Sequence, residues 1–352
     1  MSSFYKARLV SAALIAALLP ALVLAQSKDE KKKKEAQRAQ YLAMAKLVDG
    51  AMAQPPADSA IRWQSELSLK AQENKTYMPF TISIDPAKIN PGTGVLYMRV
   101  VSKSAPTPVP TAGEEKKTEE KTEAAPVIYP FEDLQTVQLK SAGAGQPYRV
   151  SRALAVPAGD YDLYIAVAEQ IGQPSKDKAA IGRTSVLKQL LTVPNYWGSE
   201  LTTSPVVLAD KIEQVTAPLS ADQQVERPYV LGNMEITPAQ DHTFSKKEEL
   251  SLIFLIYNVQ VNETGKPDLE VEYRFNQKTS EAEKFFNRTQ PQAFNATTLP
   301  AQFDVRAGHQ VVGGQTIPLA SFPEGDYRLE IKINDKLANK SLTRDVTFTV
   351  AP

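Results

Sequence analysis

The chain of 352 residues has no cysteine and only two histidines. The absence of cysteine excludes a disulfide scaffold, a thiolate zinc site, an iron–sulfur cluster and a cysteine nucleophile. Two histidines leave most metal and acid–base sites without their usual ligand. Basic and acidic residues balance at 40 each, so no excess positive charge favours a nucleic acid. We therefore expect no cofactor, no metal and no nucleic-acid partner.

The beginning of the chain has the pattern of an exported protein. Residues 1–25 place Lys6 and Arg8 before an apolar run that ends in Val-Leu-Ala, ahead of Gln26. A basic start, a short apolar run and small residues before the cut are typical of a secretory signal peptide. The run is marginal for spanning a bilayer, which favours cleavage over an uncleaved anchor. We expect a periplasmic or extracellular protein with no integral membrane segment after signal cleavage.

Export combined with the absence of cysteine points to a bacterial cell envelope, because small domains of animal secreted proteins are often held by disulfides. Residues 26–57 then form a Lys-rich segment and linker. Tyr41, Met44, Val48 and Met52 recur at helical spacing before two consecutive prolines. This stripe predicts a short helix, either on an anionic membrane or a partner, or leaning on the first domain. The narrow stripe favours the second alternative.

From residue 58 onward, apolar and polar residues alternate in the pattern of β-strands. We predict a first domain at residues 58–200, a connector at 201–228 and a second domain at 229–352. Residues 104–126 interrupt the first domain with proline, glutamate and lysine and with no aromatic residue. That composition predicts a disordered insertion.

An internal repeat indicates that the two domains are copies of one fold. Residues 157–167 and 323–333 share Pro, Gly, Asp, Tyr, Leu and Ile, six of eleven positions. In each copy a tyrosine, Tyr161 or Tyr327, opens a strand directly after a tight turn. This arrangement is similar to the tyrosine corner of immunoglobulin-like domains, where the hydroxyl bonds the backbone just upstream.

The predicted fold class is therefore all-β: two tandem immunoglobulin-like or fibronectin-like β-sandwiches, preceded by a signal peptide and a short helical segment. The strand at residues 250–257 is apolar on both faces. Only one face can point into a sandwich core, so the other predicts an apolar patch formed by Ile253, Leu255 and Tyr257. We expect residues 206–230 to cover this patch; the first domain and a partner protein are the alternatives.

Tyr196 and Trp197 follow the last predicted strand of the first domain. Exposed aromatic rings can stack on sugars, which makes this pair a candidate glycan platform. A seal between the two domains is the interpretation we favour, since apolar residues after a strand pack on the nearest neighbour.

No catalytic motif has its expected context. Ser185 and Lys188 have the spacing of a serine–lysine pair, but they lie on a predicted strand rather than at a helix start. We predict a protein without catalytic residues that is not an enzyme.

Two blocks, residues 323–331 with 335–337 and residues 226–231, resemble segments of uncharacterised bacterial exported proteins with tandem immunoglobulin-like modules. Some of those proteins are related to von Willebrand factor A domains. The resemblance implies fold more than activity, and the Asp-x-Ser-x-Ser metal-adhesion motif is absent from this chain. The predicted role is a non-catalytic structural or protein-binding module of the envelope, with an envelope or secreted protein as partner. The alternatives are a carbohydrate-binding or carbohydrate-active protein and a periplasmic assembly chaperone.

Overall fold

The computed structural model describes residues 28–104, 128–217, 219–279 and 282–352. The predicted signal peptide and residues 105–126 of the predicted insertion lie outside these ranges. The described chain is built mainly of strands, with helix α1 before them, so the predicted all-β class is confirmed.

The first sandwich follows helix α1. Its elements are α1 Lys28–Ala53, β1 Ile61–Glu66, β2 Leu69–Lys70, β3 Lys75–Ile84, β4 Gly92–Ser102, β5 Phe131–Leu139, β6 Tyr148–Pro157, β7 Gly159–Gln170 and β8 Ile181–Val193. In one sheet, the β3 sheet, β1 and β2 pair with one side of β3 and β6 pairs with the other. The other sheet, the β7 sheet, has the order β5-β4-β7-β8. The two sheets enclose one apolar core, because alternate side chains of every long strand point inward.

The predicted helix over the Lys-rich segment is confirmed as α1, and it leans on the first sandwich. Met44 and Val48 are fully buried against the outer face of the β7 sheet, where Tyr97, Tyr164 and Ala166 lie. Good helix formers fill the segment, and the two prolines at positions 55 and 56 stop it.

A charged network around the buried Arg99 fixes α1 to this sheet. Arg99 of β4 is 3% exposed and pairs with Asp49 of the helix at 2.5 Å and with Glu132 of β5 at 2.8 Å. Glu132 also accepts hydrogen bonds from the hydroxyls of Tyr41, at 2.7 Å, and Tyr97. Burial alone would raise the pKa of Glu132, but the hydrogen bonds of Tyr97, Tyr41 and Arg99 outweigh it and hold that pKa below its usual value.

The second sandwich contains the remaining elements. They are β9 Thr202–Thr203, β10 Val207–Gln214, α2 Ala221–Glu226, β11 Val230–Leu231, β12 Met234–Pro238, β13 Thr243–Ser245, β14 Glu249–Tyr257, β15 Leu269–Lys278, β16 Glu283–Arg288, β17 Gln292–Phe294, β18 Val311–Pro318, β19 Gly325–Asp335 and β20 Lys340–Ala351. The β14 sheet has the order β11-β12-β10-β14-β18, with β9 also on β14. The β19 sheet has the order β13-β20-β19-β15-β16, with β17 also on β15. A second apolar core fills the space between these sheets.

Both predicted tyrosine corners are confirmed. The hydroxyl of Tyr161 donates to the carbonyl of Pro157 at 3.0 Å, and that of Tyr327 donates to the carbonyl of Pro323 at 2.7 Å. Gly159 has a φ of 153°, and a Cβ there would sit 3.3 Å from the Tyr161 hydroxyl. The turn therefore needs glycine for both its backbone angle and its space.

Candidate functional site

Four of the five residues that the sequence singles out lie together where the two sandwiches meet. Tyr196, Ile253, Leu255 and Tyr257 are each 3–6% exposed and belong to one apolar cluster. We call this the junction cluster; its buried members are Leu67, Leu69, Tyr196, Ala209, Tyr229, Ile236, Ile253, Leu255 and Tyr257. Because residues of both sandwiches share it, the cluster joins the two folds.

The junction cluster exists because β14 is apolar on both faces. Leu252 and Phe254 point into the second core, and Ile253 and Leu255 point out toward the first sandwich. A strand that alternates between two buried faces reads as a continuous apolar run, which is the pattern of residues 250–257.

The prediction that residues 206–230 cover this face is wrong for most of the segment. Residues 207–214 form β10, which pairs alongside β14 in the same sheet, with Val207 opposite Ile253. A neighbouring strand enlarges an apolar face and does not cover it, because both strands present side chains on the same side. The cover comes mainly from the first sandwich, from Leu67 and Leu69.

Tyrosine hydroxyls tie the two sides of the junction together. The Tyr257 hydroxyl accepts from the backbone N–H of Lys70 at 3.2 Å, and its ring lies 4.9 Å from that of Tyr196, whose own hydroxyl bonds Ser68 within the first sandwich. The hydroxyl of Tyr77 donates to the carbonyl of Pro228 at 3.0 Å. Burial raises the pKa of Tyr257, so its hydroxyl stays protonated. Buried polar atoms with good partners fix relative position, which apolar contacts alone do not.

Trp197, the fifth predicted residue, lies at the rim of the junction. The residue remains 40% exposed, and its indole N–H points to the carbonyl of Lys75 at 3.4 Å. The ammonium of Lys70 lies 4.5 Å from the centre of the ring, in cation–π geometry. Trp197 therefore has one face toward a cation and an exposed part next to Tyr257.

Two clefts open along the junction and meet at its middle. The first, of about 460 Å³, is lined by Trp197, Tyr257 and several amide side chains. The second, of about 650 Å³, is lined mostly by apolar residues, among them Leu69 and Val312. Both clefts share Lys70, Ala71, Gly308, His309 and Gln310. We call the two clefts together the junction groove; each sandwich contributes one wall.

One positive charge lies at the centre of this groove. Lys70 donates from its ammonium to the Asn258 side-chain oxygen at 3.2 Å, and it pairs with no carboxylate within the described residues. Burial lowers the pKa of Lys70 because no nearby negative charge offsets the loss of water. The groove can thus offer a neutral ligand apolar and amide contacts, and an anionic one a charge partner.

Sequence reasoning missed Lys70, Asn258 and His309 as groove residues. They come from a two-residue strand, a strand end and a loop, and only the packing of the two sandwiches brings them together. No local motif marks such a set, since its members lie far apart in the chain.

The two histidines of the chain have separate partners. His242 contacts the Thr347 carbonyl at 2.8 Å, and His309 accepts from the Asp304 N–H at 2.9 Å. Ser185 and Lys188 point to opposite faces of β8, as residues three apart on a strand must.

Within the described ranges, no group of three or more His, Asp or Glu side chains is placed to hold a metal ion. No helix of those ranges combines the length and apolarity needed to cross a membrane.

A scan against protein-family models and a search of curated proteins both find no match. Among solved structures, the chain is similar to trypsin-activated alpha-2-macroglobulin from Escherichia coli, with 10% identity and a TM-score of 0.22, over 83% of this chain and 17% of that one. It is also similar to Salmonella alpha-2-macroglobulin reacted with methylamine, with 13% identity and a TM-score of 0.19, over 84% and 17% of the two chains. The chain thus spans less than a fifth of either macroglobulin, and TM-scores this low carry no argument about its function.

Proposed function

We propose that the chain is a non-catalytic, exported protein-binding module of the bacterial cell envelope, and that its partner binds in the junction groove. The observation that carries the proposal is the groove itself, lined by both sandwiches above a cluster that buries residues of both. Export rests on the signal pattern of residues 1–25.

The physical support for this proposal is preorganisation. Concave sites between domains with apolar walls and a few placed polar groups are where ligands commonly bind. Because the hydroxyls of Tyr257 and Tyr77 hold the two walls in one arrangement, a ligand does not have to order them on binding. Because the groove is already ordered, less binding free energy is lost to ordering it, and the affinity is higher.

The test is site-specific photo-crosslinking in the cell envelope. A photo-reactive amino acid at position 312 lies in the groove, on β18. The same amino acid at position 285 is the matched control, because Phe285 is exposed on the β19 sheet and lines neither cleft. We expect a discrete crosslinked protein from position 312 and none from 285. Crosslinks from 285 alone, or the same products from both positions, contradict the proposal.

Carbohydrate binding is the second candidate function, and the exposure of Trp197 favours it. An indole beside amide side chains such as Gln72 and Asn258 suits a sugar ring. In that case Trp197→Ala abolishes binding on a glycan array, whereas Phe285→Ala, which removes another exposed aromatic ring, leaves it unchanged. A protein that binds no glycan on the array speaks against this alternative.

A further inference from the structure

The charge of the junction groove indicates the chemical class of its ligand. This inference rests on the proposed function. Among the residues that line the two clefts, Lys70 is the one with a full charge, and no aspartate or glutamate lines either cleft within the described ranges. The rest of the described chain is rich in acidic residues near its basic ones, as in the pairs of Lys75 with Glu73 and Lys88 with Asp58. The groove is therefore a place where a cation lacks its usual counter-charge.

The position of Lys70 is fixed from both of its ends. Its backbone N–H binds the Tyr257 hydroxyl, and its ammonium binds Asn258 and lies over Trp197. An ammonium has three donors, and one of them is taken by Asn258. A carboxylate in the groove would accept from the others in a charge-assisted hydrogen bond, the stronger kind. It would also offset the burial that lowers the pKa of Lys70.

The larger cleft, next to Lys70, indicates which chemical groups the rest of the ligand carries beside its carboxylate. The larger cleft is apolar over most of its length, with Leu69, Tyr77, Met234 and Val312 among its lining residues. A saccharide would need polar partners along this wall, because its hydroxyls lose water there. Apolar side chains that approach Lys70 with a carboxylate at their end match both features.

We propose that the junction groove binds the free carboxyl terminus of a partner polypeptide. The terminal carboxylate pairs with the ammonium of Lys70, and the apolar side chains of the last residues lie against Leu69 and Val312.

The experiment compares two pools of random hexapeptides immobilised through their amino ends, one with free carboxyl termini and one with amidated termini. The mature full-length protein should be retained by the free-carboxyl pool at least about 10-fold better, the size expected for one charge-assisted hydrogen bond. Lys70→Met keeps the apolar stem and should bring this ratio close to one. Lys70→Arg keeps the charge and should retain the preference.

The matched control is Lys75→Met on the same hairpin. Lys75 already pairs with Glu73 at 2.8 Å and lines neither cleft, so its loss should leave the ratio unchanged. Equal retention of the two pools, no retention of either, or a preference that survives Lys70→Met overturns the inference. In each of those cases, crosslinking from position 312 would still support the proposed function, so the two failures are distinguishable.

Discussion

The two sandwiches treat the outer faces of corresponding sheets in opposite ways. The strand order β5-β4-β7-β8 of the β7 sheet matches the order β16-β15-β19-β20 within the β19 sheet. In the first, the outer face of the β7 sheet is apolar, with Tyr97, Tyr164 and Ala166, and α1 covers it. In the second, the outer face of the β19 sheet carries alternating charges, and no described helix lies on it. Similar topology therefore does not decide what a sheet face can hold; its outward side chains do.

Each face has an arginine among carboxylates, and the surroundings set the role of each. Arg99 is 3% exposed and lies between α1 and the sheet. Arg328 has a side chain that is 27% exposed and meets Glu283, Glu330 and Asp345 at the surface. Water screens the network of Arg328, whereas it does not reach the buried Arg99. Ion pairs of similar geometry therefore differ in how much they contribute to stability.

Replacing the two arginines should give the largest difference between the sandwiches. Arg99→Met leaves Glu132 half-buried without its cation and should lower the free energy of unfolding by about 2–3 kcal/mol. Arg328→Met should lower it by less than about 1 kcal/mol. Urea denaturation measures both. Equal losses in the two variants would mean that cover by α1 makes no energetic difference.

The tyrosine corners should show where the sandwiches are alike. Tyr161→Phe and Tyr327→Phe each remove one hydroxyl bond to a backbone carbonyl. Each should cost about 1 kcal/mol, and the double variant should cost about the sum, because the sites do not touch. Urea denaturation of the three variants tests this. A loss in one variant alone would show that the repeated motif has different roles in its two copies.

Acid should loosen α1 before it affects the β19 sheet, whose outer face no described helix covers. The pKa of Glu132 is held below its unfolded value, so its contribution to stability is present above the unfolded pKa and is lost as the pH falls through the lower folded one. Hydrogen exchange of α1, corrected for intrinsic rates, should rise below about pH 4 relative to β19. Exchange that keeps the same ratio down to pH 3 would contradict the role given to Glu132.

The smallest effect on stability should come from a substitution on the β19 sheet. Phe285 is 57% exposed on the edge strand β16, with Arg274 over its ring. Phe285→Ala should change the free energy of unfolding by no more than about 0.5 kcal/mol. A larger loss, measured by urea denaturation, would indicate that this face is covered in the protein as it occurs.

Much of the fold follows from short-range sequence patterns. The stripe of Met44 and Val48 predicts α1, and the repeated turn before Tyr161 and Tyr327 predicts the tyrosine corners. These features depend on residues that are close in the chain, where periodicity and turn chemistry act directly.

The junction was only partly predictable. The two apolar faces of β14 indicated a covered patch, but not what covers it, because both the adjacent strand and the first domain offer apolar side chains. No sequence pattern marked Lys70 as a binding residue. Its candidate role depends on the absence of carboxylates from the other groove residues, which lie far away in the chain.

The central claim is that the junction cluster makes the two sandwiches one body, and calorimetry of Leu255→Asp tests it most directly. Leu255 is 6% exposed between the sandwiches, so a carboxylate there must leave the junction or be buried without a partner. The control, Thr343→Asp, adds the same charge on the exposed face of the β19 sheet. We predict one cooperative melting transition for the wild type and for Thr343→Asp, and two separate transitions for Leu255→Asp. Two transitions already in the wild type, or a single unchanged transition in Leu255→Asp, would contradict the account.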